Sequence, residues 1–387
     1  MGRPRLLARL ERAEGRLHRL DWVRAWKKRH PGRRALGILP GTVPIELVHA
    51  SGDLPVLVVG GEPVEGGGGP WAQSYMCPWP HRLGAGRAGG NLDVLDGLLA
   101  GGPCDVLRNL TGAWSLERSG SWARYVDRPL ACRAGTRRAF ARERVRRLAA
   151  DLGLGSRPGS PERRLRRSIR LYNRLRAGLA ELYRRRARDP ERWPGTDVYR
   201  VARAAGAFPP EAYVDFLEEF LREGARTAGV RGDPARIFVA GLFCEAPPAA
   251  FFETLERAGC AVVGDDVAFG PSGWGRKVPE SGDPFEALAA AYGAIEGPPA
   301  WVPDEDGRRA ERFIRRLARL GVDGVLLAAP CFCDPALLEE PALVSALEAA
   351  GLPWMSVRFA GGGGSLRVLE EQAEAFADAV RLRGLGV

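Results

Sequence analysis

"RIFVAGLFCEAPPAAFFETLERAGCAVVGDD", residues 236–266, alternates strand-like and helix-like stretches. Two apolar runs, "RIFVAGL" and "AVVGDD", enclose a stretch that opens on prolines and then repeats apolar residues at helical spacing. Strand, crossover helix and strand make a βαβ unit and therefore a parallel sheet, whose covered faces let its strands read as unbroken apolar runs. The alternation continues downstream through "DPFEALAAAYGAI" and "DGRRAERFIRRLARLG" as helices, "DGVLLAAP" as strand, "DPALLEEPALVSALEAAG" as helix, "PWMSVRF" as strand and a helix from Leu366. Residues 226–387 are thus expected to form a doubly wound α/β lobe.

Upstream the pattern turns helical over 136–225, with start signals at Ser160-Pro161-Glu162 and at Pro209-Pro210. This stretch reads as a helical connector. Before it, "RALGILP", "LPVLVVGG" and "LDVLDGLLAGG" are short apolar runs bounded by Gly and Pro, the strands of a first α/β lobe over 34–135. Residues 1–33 read as a charged amphipathic helical segment rather than a secretory signal. No run has the roughly 18 apolar residues a membrane span needs, so a soluble, cytoplasmic protein is expected.

The chain carries 57 Lys and Arg against 47 Asp and Glu, a net charge of +10 borne almost wholly by Arg. The Arg residues are spread along helices such as "RRLRRSIRLYNRLRAGLAELYRRRARD" without aromatic interleaving, which reads as a solvated helix face and argues against nucleic acid as a partner. "GAGRAGG" has the spacing of Gly84, Gly86 and Gly89 found in dinucleotide loops, but no strand precedes it directly, and it reads as a loop. "GPSGWGRK" lacks the Gly-Lys-Ser/Thr ending of a phosphate loop. The "GGGG" runs at 66–69 and 361–364 read as flexible turns.

Seven cysteines, at 77, 104, 132, 244, 260, 331 and 333, form an odd and scattered set that does not suggest a disulfide framework. Structural zinc sites show paired CxxC or Cys/His spacings, and the chain has none. Ligands of open α/β sheets bind beyond the carboxyl ends of strands, where Cys77, Cys104, Cys244, Cys331 and Cys333 all fall; Cys132 and Cys260 do not. Taken singly, each thiol also reads as a small buried hydrophobe.

The flanks of three of them resemble a known family. "SYMCPWPHRLG", "LDGLLAGGPCDVLRNLTGAW" and "DGVLLAAPCFCDPALLEEPAL" look like the cysteine motifs of the 2-hydroxyacyl-CoA dehydratase and benzoyl-CoA reductase family. "VPIELVHASGDLPV" resembles its Pro-Glu-Leu helix motif, "LRRSIRLYNRLRAGL" its connector helix with Asn173 and Arg176, and 236–270 its second-lobe core, so the resemblance spans nearly the whole chain. It implies two Rossmann-like lobes with a 4Fe-4S cluster between them, held by Cys77, Cys104 and Cys333, with His81 and Cys331 as candidates for the surroundings of the cluster. Three thiolates on four irons leave one iron open to water or substrate oxygen. The serine-rich stretch of catalytic dehydratase subunits is replaced by "GILPGT", offering Thr42, and Ala268 stands where double-cubane relatives carry a further cysteine.

The resemblance further implies a lyase subunit that dehydrates (R)-2-hydroxyacyl-CoA to enoyl-CoA through a ketyl radical anion. The reducing electron is supplied by a separate ATP-hydrolysing iron-sulfur activator, and the expected partner is a homologous second subunit or a second copy of the chain. A benzoyl-CoA reductase-like or electron-relaying subunit is the alternative within the family, and a basic α/β binding protein without a cluster the alternative outside it. Glu46 is the candidate for proton handling, by its place in the helix motif, and His49, one turn on, is its potential partner or a structural histidine. Trp79, Trp114 and Phe332 are expected to bury the cluster, and Arg residues to meet the CoA phosphates.

Overall fold

A computed structural model describes residues 3–41, 43–59, 72–102, 104–117, 121–127, 134–224, 229–230, 232–241, 247–294, 308–359 and 364–384. Thr42, Cys132, Cys244 and the glycine runs apart from Gly364 lie outside them. Helices α1 (Arg3–Arg16) and α2 (Asp21–Arg29) lead into a first lobe of β1 (Ala35–Ile38), α3 (Ile45–Ala50), β2 (Leu54–Leu57), α4 (Pro78–Ala88), β3 (Gly97–Ala100), α5 (Asp105–Glu117) and β4 (Trp122–Tyr125). The connector holds α6 (Ala134–Asp151), α7 (Pro161–Arg188), α8 (Gly195–Arg203) and α9 (Pro210–Glu223). The second lobe comprises β5 (Ala235–Ala240), α10 (Ala249–Arg257), β6 (Cys260–Asp265), α11 (Pro284–Gly293), α12 (Arg309–Leu320), β7 (Gly324–Pro330), α13 (Asp334–Ala349), β8 (Trp354–Phe359) and α14 (Gly364–Gly384).

Each lobe contains a four-stranded, all-parallel sheet, ordered β2-β1-β3-β4 and β6-β5-β7-β8. The two orders are the same once the strands are counted within each lobe. Both central strands of the second sheet, β5 and β7, are buried nearly throughout, as helices on both faces require. β4 is absent from the expectations above: "WARY" is four residues long, half-exposed and carries Arg124, so it gives no apolar run.

α7 starts where the sequence places it. Proline is its first residue, where no N–H partner is needed, and the Ser160 side chain accepts the N–H of Arg163 at 3.3 Å. One buried ion pair fastens this helix to the second lobe. Arg186 Nη1 reaches Asp265 Oδ2 at the end of β6 at 2.6 Å, both side chains are fully buried, and Tyr183 donates to the other carboxylate oxygen at 3.2 Å.

Two segments depart from expectation. The "GAGRA" part of "GAGRAGG" is helix, not loop, because α4 opens on Pro78 and runs to Ala88 with Gly84 and Gly86 buried, where a glycine can be packed against closely. α11 lies between strands of the second lobe in sequence but packs on α6 and α7 of the connector, tied there by Arg142 Nε to Glu286 Oε2 at 2.7 Å. Its alanine-rich sequence carries no clear apolar face to say which neighbour it meets.

Candidate iron-sulfur site and adjoining recess

Cys77 is the residue before α4, Cys104 the residue before α5 and Cys333 the residue before α13. The first turn of a helix has N–H groups without intrahelical partners and carries the positive end of the macrodipole, so a sulfur at each start meets an environment that favours a thiolate. At Cys104 this is explicit. Burial pushes the thiol up, and the N–H groups of Leu107 and Val106 work against it by hydrogen bonding to the sulfur.

The three residues also share one apolar cluster that crosses between the lobes. It contains Cys333, Ala329 and Ala336 of the second lobe together with Trp79, Leu107 and Trp114 of the first, and Cys77 and Cys104 pack against it. Trp79 and Trp114 are buried there. Phe332, by contrast, is 55% exposed and does not bury the site, because the turn that presents Cys333 turns it outward. That turn is closed by the N–H of Cys333 on Pro330 O at 3.1 Å, and Phe332 occupies its third position with φ 58°, a left-handed conformation that favours glycine.

Among the described residues no three His, Cys, Asp or Glu side chains converge as ligands of a single ion. Cysteine sulfur is the donor that a four-iron cluster takes, and the chain offers three cysteines, each at a helix start and against an apolar cluster that includes Trp79 and Trp114. Cys331 is half-buried at the second position of the turn, and His81 is half-buried in the first half of α4. Cys260 lies elsewhere, in the core behind the second sheet, where burial pushes its thiol up to about 12.

Two residues that support Cys104 escaped the sequence reading. Gly41, at φ 142°, lies so close to Gly101 that an added Cβ would fall 1.5 Å from its carbonyl oxygen. Tyr125, on the unforeseen strand β4, donates its hydroxyl to Gly102 O at 2.7 Å. Both contacts fix the loop that carries Cys104. An aromatic beside a charged residue in a short run is the only sequence signal for the second.

Glu46 and His49 point to different places. Glu46 is buried and accepts from Arg176 Nη2 at 2.5 Å, while Arg176 also donates through Nε to Trp274 O at 2.8 Å. Asn173, one turn earlier on α7, is held by Val278 O at 2.8 Å and the N–H of Val278 at 3.0 Å. α3, α7 and the segment after β6 are thereby locked together. His49 turns away: its ring nitrogens lie 3.0 Å from Ser168 Oγ and 2.9 Å from Glu211 Oε1, and the hydrogen bond from His49 lowers the Glu211 carboxyl to about 2. This is the geometry of a structural histidine joining α3 to α9.

Arg176 forms part of the wall of a recess between the lobes, beyond the carboxyl ends of β1 and β2. Ile38, Leu39, Val58, Phe269 and Trp274 line it, and it holds about 50 Å³. Leu39 and Val58 belong also to the apolar cluster around the three cysteines, so recess and cysteine site share a wall.

Residues 40–380 match the family described as 2-hydroxyglutaryl-CoA dehydratase, D-component. The chain belongs to that family. A benzoyl-CoA reductase subunit of Thauera aromatica is 31% identical over 383 residues, 96% of this chain and 98% of that one. The beta subunit of (R)-2-hydroxyglutaryl-CoA dehydratase of Acidaminococcus fermentans is 24% identical over 336 residues, 86% of this chain and 88% of that one. The beta subunit of lactoyl-CoA dehydratase of Anaerotignum propionicum is 23% identical over 358 residues, 91% and 93% of the two chains. Family membership joins the dehydratase and reductase names that the cysteine flanks had suggested. No helix among the described residues is long and apolar enough to cross a membrane.

Proposed function

We propose that this chain is an iron-sulfur subunit of a complex that reduces or dehydrates a CoA thioester. Cys77, Cys104 and Cys333 are the cluster ligands in this reading. The observation that carries it is their shared setting, each at a helix start and all three against one apolar cluster formed by both lobes. The cluster, when bound, supplies a low-potential electron. The chain's own residues do the rest: the helix starts hold the thiolates, Trp79 and Trp114 keep water from the sulfurs, and Arg176 fixes the connector against both lobes.

Within the family, reduction of an aromatic acyl-CoA, or electron relay within such a reductase, is the preferred reading. The support is the higher identity to a benzoyl-CoA reductase subunit over nearly the full length of both chains. Dehydration of a 2-hydroxyacyl-CoA is the second reading, supported by the match to the dehydratase family and its beta subunits. Either one calls for a homologous partner subunit and a separate ATP-hydrolysing iron-sulfur activator, in a cytoplasmic, oxygen-free setting.

Anaerobic purification followed by iron and acid-labile sulfide analysis tests the cluster. About four of each per chain is expected, and a colourless, iron-free protein from cells with intact cluster assembly refutes the proposal. Assay of the native complex with its activator on benzoyl-CoA and on 2-hydroxyacyl-CoA separates the two readings.

A further inference from the structure

The amino ends of β1 and β2 face a cleft of about 660 Å³, at the opposite edge of the first sheet from the strand ends that lead to Cys77 and Cys104. Five arginines line it against two carboxylates, Asp53 and Glu211. Both acids are matched by other groups. Asp53 is buried and accepts from Arg34 through Nε at 3.0 Å and Nη2 at 2.5 Å, and Glu211 lies 2.9 Å from His49. Of the five, only Arg157 nears Asp53, at 3.4 Å. Backbone carbonyls hold two others and leave their charge uncancelled. Arg164 donates to the carbonyls of Ala50, Leu154 and residues 157–159. Arg33 donates Nη1 to Ser51 O at 3.1 Å, and it lies so close to Gly52 that a Cβ there would meet Nη1 at 2.1 Å. Among the described residues, Nε and Nη2 of Arg33, the terminal nitrogens of Arg29 and the guanidinium of Arg167 make no hydrogen bond. Beside them His30 lies on Trp26 with ring centroids 4.3 Å apart and planes 19° from parallel, and its Nδ1 donates to Trp26 O at 2.8 Å. The imidazole is thereby held in place with its other face exposed.

We propose that this cleft is a second ligand site, separate from the cysteine site, that takes a nucleoside diphosphate: the phosphates meet Arg29, Arg33 and Arg167, and the base stacks on His30. It goes beyond the iron-sulfur reading and does not depend on it. A guanidinium offers phosphate two parallel donors, and several unmatched guanidinium groups in one concavity concentrate anions there. The volume falls in the range of small-molecule sites. An apolar ligand would strip water from these cations and give nothing back. A bare inorganic anion would meet the cations and leave the ring face unused, whereas a base stacks on such a face.

The test is calorimetric titration of ADP and pyrophosphate into the anaerobically purified native complex, with no activator present. ADP is expected to bind more tightly than pyrophosphate. Arg33→Met with Arg167→Met should weaken both at least about 10-fold, and His30→Ala should weaken ADP about 5-fold or more while leaving pyrophosphate unchanged. Arg188→Met with Arg319→Met removes the same charge from exposed positions on another face and should change neither. Circular dichroism and iron content serve as controls for an intact fold. CoA also carries a nucleoside diphosphate, and it is expected to leave ADP in place; CoA that displaces ADP assigns the cleft to the substrate's own nucleotide end and overturns its separateness. Failure of ADP to bind, full retention of binding in the Arg33 and Arg167 double variant, or an equal loss in the distant pair overturns the site. ADP that binds no more tightly than pyrophosphate overturns the role of the base.

Discussion

Cys104 and Asp334 stand within electrostatic reach of one another across the two lobes: burial pushes the Cys104 thiol up, and the carboxylate of Asp334 adds to the effect. Asp334 follows Cys333 in the chain, so the two lobes turn these cysteines toward a common region.

Ligand exchange for alanine should therefore sort the thiols. Cys77→Ala, Cys104→Ala and Cys333→Ala should each lose most of the bound iron, while Cys331→Ala and Cys260→Ala keep it, as read by iron and sulfide per chain with circular dichroism as the folding control. Cys260→Ala instead opens a small cavity in the core behind the second sheet and should cost about 1 kcal/mol of stability. Equal iron retention in all five variants would falsify the ligand set.

Gly41→Ala should damage the site without touching a cysteine. Its new Cβ collides with Gly101 O, and the residue is already at a φ suited to glycine, so the loop that carries Cys104 has to move. Lower iron content and destabilisation of about 3 kcal/mol or more are expected, measured by iron analysis and denaturant unfolding. Normal values for both would show that the contact is dispensable.

Arg186→Ala removes one half of a fully buried ion pair and leaves Asp265 without its counter-charge. The cost expected is about 3–5 kcal/mol, read as a fall in the unfolding midpoint. Arg186→Met with Asp265→Asn should recover part of it, since the stranded charge is then gone.

The pair of His49 with Glu211 makes a contribution that depends on acid. The folded-state Glu211 value of about 2 lies below its ordinary 4.5, so the stabilisation is fully present above about 4.5 and is lost as pH falls from there to about 2. Glu211 is half-exposed, and solvent screening keeps the effect small. Glu211→Gln should thus be less stable than the unaltered chain at neutral pH, with the gap closing over that acid window in denaturant titrations. A gap that widens on acidification contradicts the pairing.

The parallel lobes were legible because buried strands alternate with proline-started helices, a pattern that leaves few alternatives. The motif flanks led to the three cysteines, and the lobe layout put them beyond strand ends. Spacing could not show that Phe332 faces solvent, since its direction is set by one left-handed turn residue. Nor could it show where α11 docks or that Glu46 and His49 diverge, because both depend on which helix of the connector each side chain meets. The contacts of Gly41 and Tyr125 were hidden for the same reason: they join segments more than twenty residues apart through backbone oxygens.

The common strand order of the two sheets places Cys104 and Cys333 at equivalent points of the two topologies, each after the third strand of its lobe and before a helix. Cys77 follows the second strand of the first lobe; the segment after the second strand of the other lobe, β6, passes through Ala268 and supplies no thiol. Of these four strand ends, three are followed by a cysteine before the next helix and one is not. Ala268, after the end that lacks one, lines the recess with Trp274 and Phe269. The two lobes share a strand order and differ in which strand ends carry sulfur, and the end without it faces the recess.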